Sequence, residues 1–247
     1  MTEDAARDAA RVAGVDVRLV DDTGELEELE ALFGELWREP GGAVPVTSHL
    51  MAALRLSGNY VAGAWRAGEL AGGSVAWSGP PEARELHSHL TAVVPGHQGT
   101  GVGTALKAHQ RAWAAERGYH AITWTFDPLV RRNAAFNLRT LSARVERYLP
   151  NAYGPMHDAL NAAGGESDRL LVRCEIAPAS PPATTGTGRR ILVATPEDIE
   201  SLRRGSPSEA QSWRSRLRES LGGALAAGGR VTGFTEAGEY VVEVPCP

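Results

Sequence analysis

The chain has 247 residues, of which 43% are hydrophobic and 22% charged, and these values are typical of a folded globular protein. The formal net charge of −5 lacks the basic surplus of nucleic-acid-binding proteins, so no nucleic-acid partner is expected. Two cysteines, Cys174 and Cys246, argue against a disulfide framework or a cysteine-based metal site. No apolar run approaches the roughly 20 residues that span a bilayer, and residues 1–11 are too polar for a signal peptide. The sequence thus predicts a cytoplasmic protein with no membrane segment and no metal.

Residue periodicity and turn signals predict strands and helices in the order β-α-α-β-β-β-α-β-α-β-β, which indicates a mixed α/β sheet. Strands are predicted at Val15–Val20, Tyr60–Trp65, Leu70–Trp77, Glu85–Val94, Ala121–Phe126, Ala143–Tyr148 and Leu170–Ile176. Helices are predicted after Asp22, which suits an N-cap, and at Ser48–Leu56, Gly101–Arg117 and Asn133–Leu141.

The segment 177–188 reads APASPPATTGTG and is too poor in apolar residues to fold, so it predicts a linker. It would separate a domain at 1–176 from a small β-α-α-β-β domain at 189–247, whose first helix should start with Thr195 as N-cap. The hairpins Tyr60–Glu69 and Arg230–Glu239 share the turn sequence Ala-Gly-Glu. This raises the hypothesis that the small domain is a half-repeat of the opening unit, although common turn chemistry explains the match equally well.

The segment Leu90–Lys107, LTAVVPGHQGTGVGTALK, carries the chemical signal. An apolar strand ends, a glycine-rich turn follows, and a helix opens near Gly101. Backbone amides at such a helix start suit an anion, above all a phosphate. The chain lacks the Gly-Lys-Ser/Thr of a P-loop and the G-x-G-x-x-G of a dinucleotide fingerprint, so another phosphate ligand is indicated.

The pattern Gln98-x-x-Gly101-x-Gly103 directly after Val-x-Pro resembles the pyrophosphate-binding motif of the GNAT superfamily of acyl-CoA-dependent N-acyltransferases. The resemblance implies a GNAT-type sheet over about Val15–Ile176, with the fourth and fifth strands splayed around the thioester. It implies that the backbone of Ala92 and Val93 pairs with pantetheine. It further implies that Asn133 lies near pantetheine, the alternative being a plain N-cap. The pyrophosphate would be held by the backbone amides of Gln98, Gly99, Thr100, Gly101, Val102 and Gly103 and by the Thr104 hydroxyl.

More of the chain resembles a bacterial GNAT subgroup with an appended C-terminal domain and no settled substrate. The residues that carry this second resemblance are Ser88-His89, Trp124–Leu129, Arg132–Ala134, Phe136–Leu138, Tyr153-Gly154 and Ser167–Leu170. Dimers are common among similar proteins, so a homodimer is one expectation.

Acyl transfer from a thioester to an amine needs a base for the amine and an acid or other support for the leaving thiolate. Direct attack needs no covalent intermediate, and Cys174 lies in an apolar strand that reads as core. Strand alternation places Glu85, His87, His89, Thr91 and Val93 on one face. We take His89 as the candidate base because it would be closest to the thioester; Glu85 and His87 are alternatives, and a structural histidine is the competing interpretation.

The general acid is less clear, because the position that resembles the family's usual tyrosine holds Leu138. Tyr148 and Tyr153 are the nearby candidates, and Tyr153 is the one we select. Asp127, directly after the fifth predicted strand, could anchor a cationic acceptor or cap its own turn. The pair Arg131-Arg132 could meet the 3′-phosphate of coenzyme A or be solvated.

The function that these features favour is acyl-CoA-dependent transfer, by direct attack, of an acyl group to the amine of a small molecule or peptide. Acetyl is the default acyl group of the family that the chain resembles. Three alternatives stay open: a non-catalytic acyl-CoA sensor, a transferase for longer acyl chains or hydroxyl acceptors, and a purely structural interaction module.

Overall fold

The computed structural model describes residues 3–37, 41–157, 165–176 and 188–245. Its helices are α1 Glu3–Ala13, α2 Thr23–Trp37, α3 Ser48–Leu56, α4 Val102–Glu116, α5 Arg131–Ala135, α6 Ile199–Gly205, α7 Pro207–Leu217 and α8 Gly223–Ala226. Two π-helical turns follow α5 and α7, at Phe136–Thr140 and Arg218–Gly222.

The strands confirm the predicted mixed α/β class. They are β1 Asp16–Leu19, β2 Tyr60–Arg66, β3 Glu69–Ser78, β4 Glu85–Val93, β5 Ala121–Phe126, β6 Arg144–Leu149, β7 Arg169–Glu175, β8 Arg189–Ala194, β9 Arg230–Phe234 and β10 Glu239–Val244. The first seven form one sheet in the order β1-β2-β3-β4-β5-β7-β6, and the last three form a sheet in the order β8-β10-β9. The pair β4–β5 is parallel, whereas the neighbouring pairs β1–β2, β2–β3 and β3–β4 are antiparallel.

The chain divides into two compact units, Met1–Thr123 with Glu175–Pro178, and Trp124–Cys174 with Ala179–Pro247. The predicted linker falls mainly on 177–187, which lie outside the described residues, so the division into domains at that segment stays a prediction.

The first unit has helices on both faces of β1–β4. On one face α2 and α3 contribute Leu29, Phe33 and Met51 to a core that also includes Val61 and Val75. On the other face α4 packs through buried Val102 and Leu106, which contact Ala64 and Ala71. Both faces of β2 and β3 are therefore covered, and their burial is nearly continuous rather than alternating.

Helix α1 was not predicted. Its inner side is made of Ala6 and Ala9, which pack against Ala108 and Ala112 of α4. Because alanine adds little apolar area, the periodic signal of this helix is weak, and the surrounding charges dominate the pattern.

The second unit contains the β-α-α-β-β order that was predicted for the C-terminus, with two differences. The first helix begins at Ile199 with Asp198 as its N-cap, so the expected cap at Thr195 is wrong. The buried Thr195 hydroxyl instead donates to the carbonyl of Gly238 at 2.6 Å. In addition β8 pairs with β10, the second hairpin strand, whereas β1 pairs with β2, the first. The similarity of the two hairpins therefore does not extend to strand order, as a half-repeat would require.

Candidate active site

Strand β4 is paired with β5 over only part of its length. The parallel ladder joins Glu85–His87 to Ala121–Thr123. Strand β4 continues to Val93, where it is still paired with β3 on its other side. From Ser88 onward the parallel ladder gives β4 no partner in β5, as expected for the splayed pair of strands that the GNAT resemblance implies.

A β-bulge at His89 changes which side chains share a face of β4. Val75 of β3 lies opposite Leu90, and the next residue, Ala76, lies opposite Ser88, so His89 is an extra residue in β4. A bulge resets the alternation of side chains along a strand. The expected common face for residues 85, 87, 89, 91 and 93 is therefore wrong.

The two histidines lie on the α2 side of the sheet. The His89 and His87 rings contact Trp77, with ring centroids 4.6 and 5.7 Å away, and Trp77 packs against the core beneath α2. Thr91 bonds to Ser74 on the α4 side, and Val93 packs there against the core that includes Val102. The two histidines thus lie on the opposite face of β4 from Thr91 and Val93.

Burial keeps both imidazoles neutral. Burial, with a smaller effect of His87, lowers the pKa of His89 to about 4. Burial, with a smaller effect of Lys107, also lowers the pKa of His87. His87 Nδ1 lies 3.4 Å from the hydroxyl of Thr123. Near neutral pH each ring can accept a proton, although His89 is a weak base.

The free energy of unfolding should fall as the pH drops from 6.5 to about 4, because His89 then binds a proton in the unfolded protein but not in the folded one. A folded-state pKa below the ordinary value of 6.5 means that its neutral form stabilises the fold above that pH, and that this contribution is lost as the pH drops toward 4. After allowance for partial solvent exposure we expect roughly 2 kcal/mol from this group. Urea unfolding of His89→Gln at pH 7 and pH 4.5 should show a smaller loss than the parent. His49→Gln, which removes an exposed imidazole, is the control, and an identical loss in the parent and His89→Gln would contradict the expectation.

The sequence reasoning missed a buried polar network on the α4 side of β4. Lys107 donates to the Ser88 hydroxyl at 2.7 Å and to the Gln110 side-chain oxygen at 3.3 Å. Gln110 in turn donates to Ser74 at 3.1 Å. These residues lie on elements far apart in the chain, so no local pattern signals the network. It fixes α4 against β3 and β4 just behind the bulge.

The loop between β4 and α4 has a backbone conformation that depends on its glycines. Gly96, Gly99 and Gly101 have φ angles of 92°, 75° and 91°, in the left-handed region that favours glycine. Gly101 is the N-cap of α4, which begins at Val102, one residue later than predicted.

The amides of this loop are available to a ligand. Among the backbone amides from Gln98 to Thr104, Thr100 is the one for which the described residues provide a backbone acceptor, the carbonyl of His97. The first intrahelical bond of α4 comes from Ala105 to Gly101 at 2.9 Å. The amides of Val102, Gly103 and Thr104 are thus free first-turn donors at the positive end of a helix dipole.

Asn133 and the two arginines before it lie in the second unit. Helix α5 begins at Arg131 with Val130 as N-cap, so Asn133 is inside the first turn and the alternative of a plain N-cap is wrong. Arg131 donates to Thr195, and Arg132 forms an ion pair with Glu200. Both arginines are therefore held by partners of their own unit.

The tyrosine candidates differ in their surroundings. Tyr148 donates to Asp168 at 2.6 Å, and burial together with this bond raises its pKa well above the ordinary value. Tyr153 is half exposed, and its hydroxyl lies 2.8 Å from that of Thr125. Tyr153 is thus accessible, whereas Tyr148 is committed to a buried carboxylate. Leu138 lies in the π-helical turn, where its side chain has no proton to donate.

Asp127 is used structurally within the second unit. Its carboxylate accepts a hydrogen bond from the Leu129 amide at 2.9 Å and pairs with Arg203 and, at 3.8 Å, with Arg169. Burial alone would raise the pKa of Asp127, but the two arginines hold it below the ordinary value. The turn-capping interpretation is confirmed, and the carboxylate is engaged by cations of its own chain.

Residues 26–138 match the family model described as the acetyltransferase (GNAT) family. The chain carries a GNAT acetyltransferase domain. This match agrees with the motif of the β4–α4 loop and supports an acyltransferase activity. No curated protein matches the chain significantly.

Solved structures share the GNAT fold at low sequence identity. The protein yncA from Salmonella typhimurium, solved with its cofactor acetyl-CoA, is 17% identical with a TM-score of 0.54 over 69% of this chain and 99% of its own. The ribosomal-protein-S18-alanine N-acetyltransferase from Escherichia coli is 17% identical with a TM-score of 0.51, over 68% and 97%. The ribosomal-protein-alanine N-acetyltransferase from Brucella melitensis is 17% identical with a TM-score of 0.54, over 65% and 99%.

Within the described ranges no helix is both long and apolar enough to cross a membrane. The same residues contain no group of three or more His, Cys, Asp or Glu side chains placed to hold a metal ion.

Proposed function

We propose that the protein transfers an acetyl group from acetyl-CoA to a primary amine of a small molecule or a peptide. The observation that carries the proposal is the β4–α4 loop, whose glycines present free amides at the start of α4. A pyrophosphate carries negative charge on both phosphates, and such a cluster of aligned N–H donors is the arrangement that binds it.

In this proposal acetyl-CoA, the acyl donor, lies along the part of β4 that follows the end of its ladder with β5. The amides of residues 98–103 and the Thr104 hydroxyl hold the pyrophosphate. The backbone of Ala92 and Val93, which lies beyond the end of the ladder with β5, pairs with pantetheine in the manner of a strand. Asn133, half-buried in the first turn of α5, is proposed to contact pantetheine as well.

We assign the base role to His89. It is the bulged residue at the point where the ladder between β4 and β5 ends, and its neutral imidazole can take the amine proton directly or through water. The proton leaves the amine as its nitrogen attacks the thioester carbonyl, and the C–S bond then breaks to release the CoA thiolate. Tyr153, with its accessible hydroxyl, is the proposed donor to that thiolate.

Replacing His89 with glutamine should lower kcat/KM about tenfold, because a base whose pKa lies well below the working pH contributes less than an optimally matched one. The KM for acetyl-CoA should stay within twofold of the parent. The measurement is kcat/KM against pH, corrected for the fraction of unprotonated acceptor. His87→Gln is the matched control from the same face of β4. A larger loss in His87→Gln than in His89→Gln would move the base role to His87.

Binding and turnover together test the proposed function. Calorimetry should show acetyl-CoA binding, and a thiol-release assay with a panel of small amines and N-terminal peptides should show acceptor-dependent release of CoA. Binding without turnover for any acceptor would favour the acyl-CoA sensor. The absence of both acetyl-CoA binding and turnover would refute the proposal. Tighter binding of longer acyl-CoA thioesters would change the acyl group assigned.

A further inference from the structure

We propose that Arg66 is a positioning residue that holds the β4–α4 loop in its pyrophosphate-binding conformation. This inference rests on the proposed function, since it concerns the same loop. Arg66 is the last residue of β2 and lies 32 positions before Gln98, outside the motif. No sequence pattern connects it with coenzyme A.

The guanidinium of Arg66 bridges three partners. One terminal nitrogen donates to His97 Nδ1 at 2.9 Å. The other donates to the Thr100 hydroxyl at 3.2 Å and to the carbonyl of Ala13 at 2.6 Å. Because a guanidinium can only donate, Nδ1 of His97 must be the acceptor of this hydrogen bond.

The two loop partners of Arg66 bracket Gln98 and Gly99. The Thr100 amide and hydroxyl both donate to the His97 carbonyl, at 3.4 and 2.7 Å, so the four residues form a closed turn. Arg66 joins the first and last side chains of this turn. It therefore limits the motion of the amides that the motif offers to the phosphates.

The third partner connects the loop to a helix outside the matched family segment. Ala13 ends α1, and its Cβ lies 3.3 Å from where a Cβ on Gly101 would be. Arg66 thus fixes the turn to the same residue that packs against the N-cap of α4. A loop that is already ordered loses less conformational freedom when it binds a ligand, so it binds more tightly.

Arg66→Met should raise both the Kd and the KM for acetyl-CoA about tenfold, the size expected for ordering one or two side chains and their turn. The kcat at saturating acetyl-CoA and the KM for the amine should stay within twofold, which a general structural defect would not allow. Arg18→Met, which removes an exposed arginine from the neighbouring strand β1, is the control and should leave the Kd unchanged.

Arg66→Lys keeps the charge but offers a single ammonium for three acceptors, so it should still weaken acetyl-CoA binding at least threefold. This variant also tests the inference if Arg66→Met fails to fold. Wild-type affinity in Arg66→Lys would overturn the positioning role. The double variant Arg66→Met with Thr100→Val should raise the Kd for acetyl-CoA by less than the product of the two single effects. A Kd that equals this product would contradict the inference. Absence of acetyl-CoA binding by the parent would refute the proposed function itself, whereas equal Kd in the parent and Arg66→Met would refute this inference alone.

Discussion

Gly101→Ala should weaken acetyl-CoA binding by about 30- to 100-fold, equivalent to about 2–3 kcal/mol. Gly101 has a φ of 91°, where an L-residue is strained by about 1–3 kcal/mol. A new Cβ would also lie 3.3 Å from that of Ala13. Relief of both strains must shift the N-cap of α4 and with it the amides of Val102–Thr104. Calorimetry with acetyl-CoA measures the effect directly.

The control for this variant is Gly58→Ala. Gly58 has a φ of 78° in the turn between α3 and β2, and a Cβ there would have no atom within 4 Å. The substitution therefore causes similar backbone strain far from the loop in sequence. It should lower the Tm without changing the Kd. If Gly101→Ala also left the Kd unchanged, the loop amides would not be the pyrophosphate site.

Asp127→Asn should lower the free energy of unfolding of the second unit by about 3–5 kcal/mol, because it leaves buried arginines without their counter-charge. The side chains of Asp127 and Arg203 are 11% and 5% exposed. Asparagine keeps the oxygen that accepts the Leu129 amide, so the change isolates the charge. Urea unfolding followed by a probe in the second unit measures the loss.

The ion pair Arg132–Glu200, whose arginine side chain is largely in solvent, supplies the control. With Arg132 58% exposed, Glu200→Gln should cost less than about 1 kcal/mol. Since the pKa of Asp127 is held below its ordinary value of 3.8, its contribution is complete above that pH and is lost as the pH falls through the folded-state value. The difference between Asp127→Asn and the parent should therefore shrink in strong acid. A cost equal to that of Glu200→Gln would show that the arginines are compensated elsewhere.

Two kinds of local signal made much of the fold predictable. Helix α3 at Ser48–Leu56 and strand β5 at Ala121–Phe126 lie at their predicted positions, because the apolar residues of α3 recur at helical spacing and β5 is rich in β-branched and aromatic residues. The motif after Val93 indicated the GNAT family, because free amides and permissive glycines are required within a few consecutive residues. These features depend only on residues that are neighbours in the chain, so the sequence alone is enough to predict them.

The faces of β4 and the partners of Asp127 were decided by the tertiary structure. The bulge at His89 depends on the register with β3, which alternation within β4 does not contain. Arg203 is 76 positions from Asp127 and Arg66 is 34 from Thr100, so their contacts form only when distant elements pack together. The sequence by itself determined most of the elements and the glycine-rich loop that resembles the GNAT motif, since local periodicity and backbone chemistry define these. Packing between distant segments determined which side chains meet, because hydrogen bonds and ion pairs act over a few ångströms in space and not along the chain.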